Sequence, residues 1–333
     1  ELHYREFLPV GNTESEIVCQ ELAEDVGIFL AMGHFLGDNP LCFTEVNSVP
    51  YLGWFGLTPE RQARSLAPFL TMEMDDATQR ALATRFAIND GHLTNRRIAV
   101  VWESIDRPLA LQVVLPILNE SGIEVVVDAE VPDLEDDLAR DGILDTIMEV
   151  IRANDTEVII NISGPEPFAR ALERADLLPN LVIHQNGQAS RGDIFATVDH
   201  WYLSTSIAYL PYQPQAEEVA NDSDLAECMN TYHRTKPEEV IDLTSGDQAY
   251  VQTVIRHCAT VDLLVKILTA AGPNLTPESM LKGAEALGEF SLPGIPSASL
   301  GPHKHSVENQ MQAFAYDPLR KHLIPTSGPL VLR

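Results

Sequence analysis

Several short stretches place polar or aromatic side chains directly after apolar runs. The stretch IFLAMGHFLGDNPLC, residues 28–42, passes from apolar residues into Gly-His and then into Gly-Asp-Asn-Pro. This pattern is typical of a strand that ends at a helix N-terminus, a junction that often binds ligands. The stretch contains neither GxxxxGK[ST] nor GxGxxG, and Asp38 would repel an anion, so a phosphate loop is disfavoured. A plain turn with Asp38 as the helix N-cap is the simplest alternative.

Similar side chains follow other apolar runs. These are Gly53-Trp54-Phe55-Gly56, Trp102-Glu103-Ser104, Ser163-Gly164-Pro165-Glu166 and Gln185-Asn186-Gly187. Each has an ordinary alternative, because aromatic side chains at strand ends are often core and Ser-Gly-Pro is common in turns. Nucleophilic catalysis would need an elbow such as G-x-S-x-G, which the sequence lacks. His303-Lys304-His305 has no third ligand nearby in sequence, so no metal and no cofactor is predicted.

Composition limits the classes of partner. The 333 residues are enough for two domains, and 22 basic against 49 acidic residues give a net charge of −27. A surface this acidic repels nucleic acid and anionic lipid, and no apolar run approaches the ~18 residues of a membrane helix. The four cysteines form no CxxC motif. They are either four buried free thiols or two disulfides of an exported protein, Cys19–Cys42 and Cys228–Cys258.

Strands and helices are predicted to alternate along most of the chain. Strands are expected in ELHYREFL, GIFLAMG, VPYLGWFG, RRIAVVWES, IEVVVDAEV, TEVIINISG and NLVIHQNG, and HWYLSTSIAY is expected to be extended. Helices are expected near 13–22, 40–46, 75–90, 109–121, 138–153, 168–175, 222–235, 246–271 and 277–287. A loop rich in Pro, Gly and Ser is expected at 291–302, before the extended NQMQAFAYDP. This alternation predicts an α/β fold with parallel sheets made of βαβ units.

The same stretches, taken in order, resemble a known family. It is that of the type I periplasmic binding proteins, in the branched-chain amino-acid (Leu/Ile/Val) class of ABC-transporter solute receptors. ELHYREFLPVGNTESEIVCQELAEDVGIFLAMGH resembles the family's second strand, the next helix and a strand ending in Gly-His or Gly-Pro; VPYLGW resembles a later strand. RRIAVVWESIDRPLALQVVLPILNESGIEVV resembles the opening of the second lobe, and TEVIINISGPEPFARALERADLLPN a strand and helix within it. The tail, GEFSLPG to SASLGPHKHSVENQMQAFAYDP, resembles that of many actinobacterial members.

The resemblance implies a two-lobed clamp, each lobe a parallel sheet flanked by helices. Lobe 1 is expected at 1–74 and 207–290 and lobe 2 at 75–206 and 291–333. Because the match begins at the family's second strand, the first βα unit of lobe 1 is expected to be missing. Three crossovers near Met72–Asp75, Ser206–Tyr209 and Phe290–Leu292 are expected to form a hinge that closes around the ligand. The resemblance also favours the two disulfides over free thiols.

The resemblance places the ligand in the cleft between the lobes, at the carboxyl ends of strands. The residues expected to bind it are His34, Phe35, Gly37, Asp38, Trp54, Phe55, Trp102, Glu103, Ser163, Gly164, Gln185 and Asn186. Asn186 stands where amino-acid-binding members often carry a Glu for the ligand's ammonium group, and Ile105 stands near a common Tyr. The hypothesis is therefore a neutral polar or aromatic small molecule, or one whose cationic end reaches Asp38.

The function implied is that of a non-enzymatic solute-binding protein of an ABC importer. It is expected to be extracytoplasmic, either periplasmic or lipid-anchored at the cell surface, and monomeric. Its expected partners are a small-molecule ligand and an ABC permease, with no nucleic acid. The main alternative is a ligand-sensing receptor or regulator domain of the same fold, for amides or amino acids, and the weaker one is an enzyme of doubly wound fold.

Overall fold

The computed structural model describes residues 1–7, 12–132, 136–185, 203–214, 218, 221–238 and 248–331. The chain divides into two compact units, each of which is described by itself. The first comprises Glu1–Asp76, Gln213–Ile241 and Gln252–Asn309, and the second Ala77–Tyr212, Asp242–Val251 and Gln310–Arg333. No described helix is both long enough and apolar enough to cross a membrane.

The elements follow one another along the chain as alternating helices and strands. The helices are α1 Asn12–Gln20, α2 Pro59–Arg64, α3 Asp76–Asn89, α4 Arg107–Leu109, α5 Leu115–Glu120, α6 Asp137–Ala153, α7 Pro165–Arg174, α8 Ser223–Thr235, α9 Gln248–Ala271 and α10 Pro277–Glu285. Tighter or wider helical turns adjoin some of these helices, at Glu21–Val26, Ser104–Asp106 and Ala110–Val114, and a separate one lies at Cys42–Val46. The strands are β1 Ala31–Gly33, β2 Tyr51–Gly53, β3 Phe69–Thr71, β4 Ile98–Glu103, β5 Val125–Val131, β6 Val158–Asn161, β7 Leu181–His184, β8 Ser206–Pro211, β9 Gly288–Leu292, β10 Ile295–Leu300, β11 Gln310–Asp317, β12 His322–Pro325 and β13 Leu330–Val331.

The first unit is built on three parallel strands in the order β1–β2–β3. The segment at 305–308 runs beside β3, because Thr71 donates to the His305 carbonyl and receives a hydrogen bond from the Val307 N–H. One face of this sheet packs on α9 and α10 in a core that contains Leu52 and Leu70. The other face packs on aromatic side chains of the N-terminal segments. Both faces are therefore covered, as expected for parallel strands.

A β-hairpin occupies the segment where a loop was predicted. Strands β9 and β10 pair antiparallel, and Gly294 in the turn has φ 73°, a conformation that favours glycine. The Gly294 N–H donates to the Asp222 carboxylate at 3.0 Å, which ties the turn to the start of α8. Leu292 and Leu300 are buried in the core with Leu52, so 291–309 lies in the first unit. The division into lobes expected from sequence, with 291–333 in lobe 2, remains a prediction.

Both predicted disulfides are present. Cys19–Cys42 joins α1 to the turn Cys42–Val46, with Cα atoms 6.3 Å apart. Cys228–Cys258 joins α8 to α9, with Cα atoms 6.1 Å apart. The Asn47 side-chain amide lies over the first bridge, 3.9 Å from the Cys19 Sγ and 3.7 Å from the Cys42 Sγ. The two bridges therefore each fasten a helix that borders the first unit's core.

The second unit contains a sheet in the order β12–β11–β8–β7–β6–β4–β5, with β13 paired to β11. Strands β4 to β8 are parallel, and β11 joins them antiparallel to β8. The apolar run of β4 is buried because side chains on both faces meet a core; Ala99 and Val101 pack on α6 and α7. The predicted α/β class, parallel sheets flanked by helices, is confirmed.

Some local predictions were wrong. The described residues of ELHYREFL, Glu1–Phe7, form no strand, since alternation alone does not supply a sheet partner. The strands predicted in GIFLAMG and VPYLGWFG are reduced to β1 and β2, three residues each. The segments predicted as crossovers, Ser206–Tyr209 and Phe290–Leu292, lie within β8 and β9, and their role in a hinge stays a prediction. Part of HWYLSTSIAY lies outside the described residues.

Candidate ligand-binding site

The carboxyl edge of the first unit's sheet is shaped by Tyr51 and two glycines. Gly33 ends β1 and Gly53 ends β2, and the Tyr51 hydroxyl donates to the Gly33 carbonyl at 2.9 Å. A Cβ at Gly53 would lie 2.5 Å from the Tyr51 ring, so the ring fits only beside glycine. Burial raises the pKa of Tyr51, which keeps its hydroxyl a hydrogen-bond donor. His34 and Trp54, the next residues of the two strands, are consequently held at this edge.

An aromatic group of four side chains forms at this edge, and we call it the aromatic platform. His34 lies 5.6 Å from Trp54 and 4.8 Å from Phe55, measured between ring centroids. His257, an exposed residue of α9, lies 4.7 Å from Trp54 at an interplanar angle of 76°. All three contacts are edge-to-face, the arrangement that aromatic quadrupoles favour. The structure thus brings together three predicted site residues and adds His257, which the sequence pattern did not single out.

The remaining predicted residues of the first unit have other contacts. Phe35 is buried and packs on Phe43 and Tyr51, with centroids 5.1 and 5.9 Å apart, so it belongs to the core. Gly37 lies in a turn with φ 57°. The Asp38 carboxylate receives hydrogen bonds from Arg61 and Arg64, both at 2.8 Å. Its negative charge is therefore compensated by two guanidinium groups, which removes the main support for a cationic ligand end at Asp38.

The ionisation of Asp38 reflects these contacts. Burial raises the pKa of Asp38, but hydrogen bonds and charges from Arg61 and Arg64 outweigh it and hold the pKa below its ordinary value. Arg64 also binds Glu45 at 2.8 Å, so the ion pair extends over the surface of the unit. Asp38 is thus a carboxylate that fastens α2 to the loop after β1, and its side chain does not cap a helix as the turn hypothesis expected.

Polar side chains also follow the strands at the carboxyl edge of the second unit's sheet. The Glu103 carboxylate, at the end of β4, accepts a hydrogen bond from the Gly164 N–H at 3.0 Å. Ser163 is buried, and its hydroxyl donates to the Asn161 side-chain oxygen at 2.6 Å. Glu103, Ser163 and Gly164 therefore come together around the N-terminus of α7. Because Ser163 gives its proton to an amide oxygen rather than to an imidazole, this arrangement does not activate a nucleophile.

A buried histidine continues this polar chain. The Asn161 amide nitrogen lies 3.3 Å from the His184 Nδ1, and the His184 Nε2 lies 3.3 Å from the Ser206 hydroxyl. Because the amide nitrogen can only donate, Nδ1 accepts and the proton of the neutral ring is on Nε2. Burial lowers the pKa of His184 to about 4, so the imidazole is neutral near pH 7.

Gln185 and Trp102 are both committed to contacts inside the second unit. The Gln185 side-chain amide donates to the Thr84 hydroxyl at 3.0 Å, and the backbone carbonyl of Gln185 accepts from Arg80. Trp102 is buried, and its indole N–H donates to Asp128 at 2.7 Å. The sequence pattern missed Arg80 and Thr84 because both lie on α3, far from the strand ends in sequence. Asn186 lies outside the described residues.

Four charged side chains of the first unit lie near the end of β3, in a group that we call the buried charge cluster. It consists of Glu73, Arg256, Lys304 and Glu308. Arg256 forms an ion pair with Glu73, whose N–H donates to the Trp54 carbonyl at 2.7 Å. The Lys304 ammonium donates to the carbonyls of Ser299, Ser306 and Val307. The cluster therefore joins α9, the end of β3 and 304–308.

Glu308 is the most deeply buried carboxyl of this cluster, with 4% of its surface exposed. Burial raises its pKa to about 7, against the opposing charges of Arg256 and Lys304 and a hydrogen bond from the Met74 N–H. Burial likewise lowers the pKa of Lys304 to about 8, while Asp75 and Glu308 raise it. In the HxH pair at 303–305, His305 has a structural contact, since its Nδ1 lies 2.7 Å from the Gln62 amide nitrogen.

Solved structures show the class of fold to which this geometry belongs. Neither protein-family models nor curated protein sequences gave a match. The chain nevertheless has the α/β fold of type I periplasmic binding proteins of ABC transporters, a class that includes Leu/Ile/Val-binding proteins. The predicted resemblance is confirmed at the level of fold. Structures with this fold include solute-binding proteins and an extracellular ligand-binding receptor.

Three of these structures illustrate the range of ligands. One is a solute-binding protein of an ABC transporter from Rhodopseudomonas palustris HaA2 in complex with p-hydroxybenzoic acid, at TM-score 0.70, 14% identity and coverage of 98% of this chain and 84% of that one. Another is a leucine-binding protein from Thermotoga maritima MSB8, at TM-score 0.69 and 12% identity, with coverage of 96% of this chain and 84% of that one. A third is a fatty acid ABC transporter substrate-binding protein from Thermomonospora curvata, at TM-score 0.67 and 10% identity, with coverage of 97% of this chain and 79% of that one.

Proposed function

We propose that this protein is an extracytoplasmic solute-binding protein of an ABC importer. In this proposal a small molecule binds in the cleft between two lobes and favours the closed form, because it makes more contacts there than in the open form. The ABC permease that receives the ligand is the second proposed partner. The fold supports the proposal, since proteins of known structure with this fold are named as solute-binding proteins.

The observation that carries the proposal is the aromatic platform at the carboxyl edge of a parallel sheet. Ligands of open α/β sheets bind beyond the carboxyl ends of strands. At this edge the chain holds two imidazoles, an indole and a phenyl ring, of which His257 is exposed and the other three are half-buried. Such a surface offers stacking and a few hydrogen bonds, and none of its four described side chains is a carboxylate that could bind an ammonium group. It favours a small polar or aromatic molecule over an α-amino acid.

An extracytoplasmic location agrees with the disulfides. Bridges such as Cys19–Cys42 and Cys228–Cys258 persist in oxidising compartments and are rare in the cytosol. The net charge of −27 also suits a protein that moves freely near an anionic membrane surface without adhering to it. Monomeric state and lipid anchoring stay predictions.

A ligand screen tests the proposal. The purified protein is heated with aromatic acids, amides, fatty acids, amino acids, polyamines and sugars, and each hit is titrated by calorimetry. A ligand at 100 times its Kd adds ~2.7 kcal/mol to the free energy of unfolding, enough to raise the Tm by several degrees. Trp54→Ala is expected to abolish the shift.

The matched control for Trp54→Ala is Tyr4→Ala, because Tyr4 is an aromatic residue of the same unit that is 75% exposed and outside the platform. It is expected to bind like the wild type. If no chemical class raises the Tm of the wild-type protein, the solute-binding function is refuted. If a ligand binds equally well to Trp54→Ala, binding occurs elsewhere than proposed.

A further inference from the structure

His257 is the member of the aromatic platform that lies in a helix, and one of its ring nitrogens is bonded within that helix. Its Nδ1 lies 2.7 Å from the Thr253 carbonyl oxygen, one turn earlier in α9. A carbonyl can only accept, so Nδ1 must carry the proton. In the neutral ring the Nε2 therefore bears a lone pair. Within the described part of the chain, no hydrogen bond to this Nε2 is formed.

The position of this imidazole is fixed from two sides. The preceding residue, Arg256, is tied by its ion pair to Glu73 at the end of β3. The following residue, Cys258, is tied by its disulfide to α8. The ring itself packs edge-to-face on Trp54. A side chain held in this way presents its acceptor at a constant position beside an indole, which is what selective recognition requires.

We propose that His257 is a specificity-determining residue of the aromatic platform, and that it selects ligands in which a planar ring carries an O–H or N–H donor. The ring of such a ligand contacts Trp54 and Phe55 while its donor reaches the Nε2 of His257. A ring with no donor gains only the stacking contact. A ring that presents a carboxylate at this position places two acceptors against each other. This inference rests on the proposed solute-binding function and narrows its ligand class.

A matched pair of probes tests the inference. 4-Hydroxybenzoate and benzoate differ by one hydroxyl, and their affinities are measured by calorimetry at pH 7.5 with wild-type protein. One hydrogen bond is worth about tenfold in affinity, so 4-hydroxybenzoate is expected to bind about ten times more tightly. His257→Phe keeps an aromatic ring against Trp54 but has no acceptor, so it is expected to bring the two affinities together.

His303→Phe is the matched control, because it removes an exposed histidine outside the platform and is expected to keep the tenfold preference. A preference that persists in His257→Phe, or equal affinities in the wild type, overturns the role of His257 while solute binding stands. The role of His257 is equally overturned if only non-aromatic compounds bind. Failure of every class in the ligand screen instead refutes the solute-binding function itself.

Discussion

Glu308 leads to a test of the energetics inside the first unit. Its carboxyl is buried beside Arg256 and Lys304, and burial raises its pKa from 4.5 to about 7. Between these pH values the folded protein binds more protons at this position than the unfolded chain does. The free energy of unfolding therefore falls as the pH rises through this interval, and the contribution is fully lost above pH 7.

The size of the effect follows from the interval. Each pH step of one corresponds to about 1.4 kcal/mol, so the interval from 4.5 to about 7 amounts to about 3 kcal/mol. Glu308→Gln keeps the shape of the side chain and removes its proton equilibrium. Its free energy of unfolding, relative to the wild type, is expected to increase by about 3 kcal/mol between pH 4.5 and pH 7.5. Titrating groups that do not interact with Glu308 are shared by the two proteins and cancel, whereas the pKa of Lys304, which Glu308 raises, also changes with the substitution.

Urea unfolding followed by tryptophan fluorescence measures this difference. Replacing Trp102 and Trp201 by Phe in both proteins leaves Trp54, in the first unit, as the only reporter. Glu60→Gln, an exposed charge removal, is the control and is expected to show no comparable change with pH. If the difference in free energy of unfolding between Glu308→Gln and the wild type changes by less than about 1 kcal/mol from pH 4.5 to pH 7.5, the buried, protonated state of Glu308 is refuted.

Three further outcomes are expected. Burial lowers the pKa of His184 to about 4, so its effect on stability has the opposite dependence on pH. The free energy of unfolding should fall by about 3 kcal/mol as the pH decreases from 6.5 to 4, because the unfolded chain binds the proton more readily. His184→Asn should reduce this fall, as measured by unfolding curves in acid. Raising NaCl from 0.05 to 1 M should raise the Tm by a few degrees, because salt screens the self-repulsion of a net charge of −27; an unchanged Tm contradicts this. Replacing Cys228 and Cys258 by Ser should lower the free energy of unfolding by about 3.6 kcal/mol, given a closed loop of 30 residues, and reductant should then have less effect on the variant than on the wild type.

Local sequence predicted those parts of the fold whose determinants are themselves local. The run IAVVWE predicts a strand covered on both faces, and β4 is that strand. The segment 138–153 has a helical period, and α6 spans Asp137–Ala153 with Asp136 as its N-cap. The parallel order of the strands followed from their alternation with helices. Each of these signals is contained in one element or in elements that are neighbours in the chain.

The hairpin β9–β10 could not be predicted in this way. Its sequence, GEFSLPGIPSASL, contains two prolines and several small residues, and it pairs only because its apolar side chains reach a core built from distant segments. The hydrogen bond from Gly294 to Asp222 joins positions 72 residues apart. Tertiary packing of this kind overrides local preference.

The candidate site shows the same division. His34, Trp54 and Phe55 were predicted because they lie one or two residues after a strand, and such positions converge at one edge of a parallel sheet. Asp38 was interpreted as a cap or a ligand group because its partners, Arg61 and Arg64, are 23 and 26 positions away. His257 lies in a long helix, and nothing near it in sequence indicates a contact with Trp54. Pairings between distant segments are the part that a single sequence conceals.

The discontinuous core of the first unit has a consequence for the order of events during synthesis. Leu52 and Leu70 pack against Leu263, Leu300 and Val307, so the core cannot close until the last of these has left the ribosome. At typical elongation rates the delay between the two ends is on the order of tens of seconds. Contacts between such distant positions also slow the final closure. Over that interval the nascent chain exposes apolar segments and unpaired strands, and it is available to chaperones that bind unfolded polypeptide.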